Sequence, residues 1–222
     1  MVRVGLGCCG TRVKRAIELD PHSGDAYGYY SWFLAPTGQG DEAINEARRP
    51  LQTDPLSTGL NGNLGSVLVF TRQWDKAIEQ LRYSIDLDPN YWFDYCFLGR
   101  AYEQRRRLPE AIEGFQRGLA LEGNTELWSG LGHAYTLSGK RAEAQKVLDH
   151  LKELSAHSYV APYNVAVIYA GLGERDEAFA WLNRAYEDRS YLLVYLTTDA
   201  RLDNLHADPR FDELRRRVGL PE

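Results

Sequence analysis

Apolar residues recur along this chain at helical spacing, in short runs that come in pairs. Tyr27, Tyr30 and Leu34 fall at i, i+3, i+7, and Ala43 and Ala47 fall four apart. The same spacing joins Leu64 with Leu68, Ala77 with Leu81 and Ile85, and Tyr95 with Leu98 and Tyr102. It continues in Ala111, Phe115 and Leu119, in Trp128, Leu131 and Tyr135, and in Ala144, Leu148 and Leu151. It ends with Val165 and Tyr169, then Ala178, Leu182 and Ala185. Glycines such as Gly38, Gly139 and Gly173 separate the members of a pair. The pattern predicts five helix pairs: 24–37 with 41–52, 58–71 with 74–87, 92–105 with 108–121, 125–138 with 141–154, and 159–172 with 175–188. Two local conflicts stand out. Pro50 removes a backbone donor and should kink or fray the end of its helix. Gly59 and Gly62 each cost up to about 1 kcal/mol relative to alanine, so the first helix of the second pair should be the softest.

The pairs keep a period. Ala43, Ala77, Ala111, Ala144 and Ala178 follow one another at 34, 34, 33 and 34 residues, each preceded by acidic or polar residues. Pro21, Pro55 and Pro89 keep the same beat, and Gly123 takes the next one. A unit of this length is one helix-turn-helix repeat, which buries its apolar face only by stacking on its neighbours. Residues 1–21 carry the spacing of a second helix alone, in Val13 and the stretch 16–19, and read as a truncated repeat. Residues 22–188 hold the five units. Residues 189–222 differ: an unpatterned apolar run at 191–196, then Asp208-Pro209 as a helix start, Phe211, Leu214 and Val218 as a stripe, and Gly219 as a stop. This tail is expected to be a cap, with residues 192–196 packed on the fifth unit and a last short helix sealing them.

Composition removes several functions. The net charge of −5 argues against a general nucleic-acid binder, and Arg105–Arg107 and Arg215–Arg217 read as solvated helix ends. No apolar run is long enough to span a membrane. Adjacent Cys8 and Cys9, with Cys96 in an apolar helix, make no disulfide framework, so a cytoplasmic location is expected. Gly139-Lys140 lacks both the earlier glycine and the following Ser or Thr of a phosphate loop. The five histidines show no metal-ligand spacing, so neither a metal nor a cofactor is expected. The recurring acidic residues before the periodic alanines suit helix N-termini better than catalysis.

Trp128-x2-Leu131-Gly132-x2-Tyr135 resembles the opening of the tetratricopeptide repeat, and the register repeats it over 24–188. The resemblance implies an all-α fold, a right-handed superhelical α-solenoid, with small residues at Gly65, Gly99, Gly132 and Ala166 allowing close helix approach. It also implies that the first helix of each pair lines a concave groove. The residues so placed are Tyr29, Trp32, Asn63, Ser66, Arg100, Glu103, Gln104, His133, Tyr163 and Asn164, with Phe70 and Phe97 divided between groove and core. Some members clamp a terminal carboxylate with lysines, asparagines and an arginine. Here only Asn63 matches, while Gly28, Phe93 and Phe97 replace the cations, so that activity is not expected. Phrases around Tyr163, Trp181 and Asp208 resemble the repeat regions of bacterial winged-helix regulators and serine/threonine kinases. The expected function is a non-enzymatic scaffold or sensory module that binds a protein or peptide within a bacterial signalling system. Two alternatives differ in kind: self-association through an apolar flank at Val13 and Ile17, and an enzyme with a groove site near His133.

Overall fold

The computed structural model describes residues 6–221, with side chains from residue 10 onward; the side chains of Cys8 and Cys9 lie outside that set. Helix α1 (Leu6–Leu19) precedes five pairs. These are α2 (Gly24–Leu34) with α3 (Gly40–Arg48), α4 (Thr58–Phe70) with α5 (Trp74–Leu87), α6 (Trp92–Gln104) with α7 (Leu108–Leu121), α8 (Thr125–Leu137) with α9 (Arg141–Ser155), and α10 (Pro162–Leu172) with α11 (Arg175–Glu187). Two 3-10 helices, Tyr191–Tyr195 and Ala200–Leu205, lead to α12 (Pro209–Val218). Among the described residues there is no strand, and no helix is long and apolar enough to cross a membrane.

The periodic alanines are the contact points between paired helices: Ala43, Ala77, Ala111, Ala144 and Ala178 have no exposed surface. Opposite them the small residues admit large side chains. A methyl group at Gly99 would meet the Phe115 ring at 2.7 Å, and one at Gly132 would meet Ile168 at 2.6 Å. Pro50 acts as its backbone chemistry requires. Helix α3 stops at Arg48, and the chain turns through a 3-10 helix at Pro50–Gln52. Helix α4 is unbroken despite its glycines, and Gly62 has a packing role that its helix propensity hides. A side chain there would strike the carboxylate of Asp94 on α6.

The turn inside each unit takes a left-handed residue at one register position: Gly38, Arg72, Arg106, Gly139 and Gly173. A side chain is strained in that conformation. Arg72 has a compensating contact, described below, whereas Arg106 is exposed. Val13 and Ile17 of α1 are half-buried and pack against the core, so they do not form the open apolar flank expected of them.

Asp94 is fully buried, and neither of its carboxylate oxygens has a hydrogen-bond partner. The neighbouring Ser84 hydroxyl donates to the Thr58 carbonyl instead, at 3.1 Å. Burial pushes the Asp94 carboxyl from 3.8 up to about 7. Between those values the folded chain keeps a proton that the unfolded chain has lost. The stability from Asp94 is therefore present below about pH 4 and is lost as pH rises through 7. Asp94→Asn should exceed the wild type at pH 8 by on the order of 2–4 kcal/mol, with the gap closing toward pH 4, in urea unfolding at each pH. Arg106→Gly should stabilise by about 0.5–1 kcal/mol in the same assay, because it relieves the left-handed strain.

Candidate binding cleft

The tail does not simply stack on the fifth unit, as its apolar run suggests. It crosses the array. The Tyr195 ring stacks on Phe70 of α4 at 4.3 Å and 8°. The Tyr191 hydroxyl donates to Glu126 of α8 at 3.1 Å, and the Tyr163 hydroxyl of α10 donates to Asp199 at 3.1 Å. The Asn204 amide donates to the Ala170 carbonyl at 2.7 Å. One short segment thus touches the first helices of the second, fourth and fifth units, which shows that these helices share one inner face. Leu193, Leu196, Leu202 and Leu205 are buried on it. Only α12 caps the end of the array. Its Arg217 donates to Asn183 of α11 at 2.7 Å and lies over Tyr186, and its Arg210 lies over Phe179.

A buried ion pair holds the crossing. The Arg201 guanidinium donates to Asp199 at 2.9 and 2.6 Å, and both side chains are buried. Burial alone would raise the Asp199 carboxyl, but the charge and hydrogen bonds of Arg201 outweigh it and hold the group well below the usual carboxylate range. At the outer edge Arg72 makes a two-pronged pair with Asp203, at 2.7 and 2.6 Å. That contact offsets the left-handed strain at Arg72.

The tail decides which predicted groove residues can meet a ligand. Glu103 and His133 are 1% and 3% exposed and bond each other at 2.9 Å beneath it. Tyr163 is spent on Asp199, and Asn164 donates to Thr125 at 3.2 Å while its carbonyl accepts from Ser129 at 2.8 Å. Ser66 is fully buried, bonded to the Asn63 carbonyl and accepting from the Trp32 indole at 2.9 Å. Glu103, His133 and Ser66 hold the fold together and are not displayed on an open groove, whereas Tyr163 and Asn164, bonded as they are, also border the second of two hollows that make up a cleft. Arg100 is nearly as enclosed. It pairs with Glu126 at 3.0 Å and lies over the Phe97 ring at 4.7 Å. Gln104 is half-buried beside the tail.

Tyr29, Trp32 and Asn63 stay accessible, and they lie together. They line a hollow of about 270 Å³ between α2, α4 and the start of α6. A second hollow of about 400 Å³ adjoins it, bounded by α6, the Arg100–Glu126 pair and the tail's Tyr191 and Tyr195. Trp32, Tyr91 and Phe93 line both, so the two form one cleft. A row of rings runs along it. Trp32 stacks on Phe93 at 5.8 Å, Phe93 meets Phe97 at 4.6 Å, and Phe97 meets Phe70 edge-on at 5.6 Å. The repeat register does not point to Tyr91 or Phe93 as groove residues, although Phe93 stands at an inward position in place of a clamp cation. Tyr191 and Tyr195 belong to no repeat, so the register had no place for them. Among the described residues no group of His, Cys, Asp and Glu is placed to hold a metal ion.

No family model matches the sequence, and no curated protein matches it either. Solved structures do. MamA of AMB-1 superposes with a TM-score of 0.54 at 22% identity, over 67% of this chain and 92% of its own. Another MamA structure gives 0.50 at 24% identity, over 78% and 94%. PilF of Pseudomonas aeruginosa gives 0.54 at 18% identity, over 82% and 84%. These neighbours are tetratricopeptide proteins, and at such identities the likeness concerns the fold: the chain is an all-α solenoid of tetratricopeptide type.

Arg201→Ala would leave Asp199 charged, buried and unpaired. A loss of about 3–5 kcal/mol is expected. Hydrogen exchange should localise the loosening to 191–205, and a double Asp199→Asn, Arg201→Met variant should lose less.

Proposed function

We propose that the chain is a non-enzymatic binding module that holds an extended segment of a partner protein in the cleft over the first three units. One observation carries this reading. The tail is a peptide-like segment seated on the inner face, and the aromatic row it stacks on continues past it into the open cleft. Rigid aromatic side chains with few torsions lose little entropy on binding and supply large contact areas. Placing the partner in a bacterial signalling system rests on the resemblance of the phrases near Tyr163, Trp181 and Asp208, and on nothing in the cleft. The non-enzymatic reading is favoured by the placement of His133, which is 3% exposed and bonded to Glu103 at 2.9 Å. Self-association loses its flank, with Val13 and Ile17 turned to the core.

Peptides selected on the full chain from a random library give the test. Trp32→Ala should weaken their binding by about tenfold or more in a fluorescence or calorimetric titration. Tyr83→Ala, an exposed ring on the outer helix α5, should leave it unchanged. Equal losses at both positions, or none at Trp32, would move the interface off the cleft.

A further inference from the structure

The charges around the cleft are unequally available. The two arginines that border it, Arg100 and Arg201, are 7% and 5% exposed, and each is already bonded to its own carboxylate, Glu126 and Asp199. The carboxylate with open access is Asp25, in the first turn of α2. It lies one and two helical turns from Tyr29 and Trp32 and lines the same hollow. Neither hollow is lined by a lysine, nor by an arginine free of a carboxylate.

The tail already shows what the inner face accepts. It brings an aromatic ring, Tyr195, onto Phe70, and aliphatic side chains, Leu193 and Leu196, into full burial. We propose, building on the cleft as the binding site, that its ligand is a basic, aromatic or aliphatic protein segment whose Lys or Arg pairs with Asp25 beside Trp32. A cation there gains from the Trp32 ring as well as from the carboxylate, whereas an acidic segment meets Asp25 with no exposed counter-charge, since the unpartnered Arg100 Nε and Arg201 Nη1 are buried.

The experiment selects peptides on the full chain from a random library and then ranks them by loss of binding to Trp32→Ala. Circular dichroism checks that this variant is folded, and Phe93→Ala serves as a second cleft variant. The Trp32-dependent peptides should be net basic, bind more weakly as salt rises, and lose affinity several-fold on Asp25→Lys, an exposed substitution. Neutral or acidic Trp32-dependent peptides, or no change on Asp25→Lys, would overturn the charge assignment and leave the cleft standing. Peptides indifferent to both Trp32 and Phe93 would remove the cleft itself.

Discussion

Asp199 and Arg201 form a buried ion pair, and the inner face of the array is arranged around it. A carboxylate in such a place persists only when donors surround it. Asp199 has four: the Arg201 Nε and Nη2, the Arg201 backbone amide and the Tyr163 hydroxyl. Because Tyr163 belongs to α10, the pair fixes the tail to the fifth unit, and the Arg72–Asp203 pair fixes it to the second. Around those anchors Leu193, Leu196, Leu202 and Leu205 bury completely. The Glu103–His133 pair becomes an interior group, and the Arg100–Glu126 pair sits at the edge of the cleft.

A solenoid of paired helices leaves the inner helices half-covered, and here the chain covers part of that surface itself. The result is a divided groove. Its C-terminal part is largely covered, built from polar and charged side chains that bond to one another. Its N-terminal part is a cleft walled by aromatic rings. The division explains why the inner-facing residues of α8 and α10 bond to neighbours, while those at the start of α2 stay accessible. It also explains how one surface chemistry serves two purposes, since the ring row passes from beneath the tail into the open cleft without interruption.

Helix positions were legible because their signals are local. Alanine and aromatic residues at i, i+3 and i+4 mark a face, and a repeat near 34 residues marks the unit. Even the end of α3 at Pro50 followed from a missing backbone donor. Some signals were present but masked. Arg72 and Arg106 occupy the left-handed position that glycine fills at Gly38, Gly139 and Gly173, so only the register, not residue type, points to it. Gly62 reads as a weak helix former, yet it makes room for Asp94 from the next unit. In the cleft, Tyr29, Trp32 and Asn63 were found by register, whereas Tyr91 lies just before α6 and escaped it.

By itself, then, the sequence determined the helices, their pairing and which residue of each turn faces inward. Those properties depend on neighbours within one unit or the next. Which inward residues remain wet was decided by the tertiary structure alone. The covering segment is joined to its second-unit anchor across 131 residues of chain, and its apolar run at 191–196 has no period that aims it. Burial is a property of the closed fold, and it turned Glu103 and His133 from candidate contacts into core.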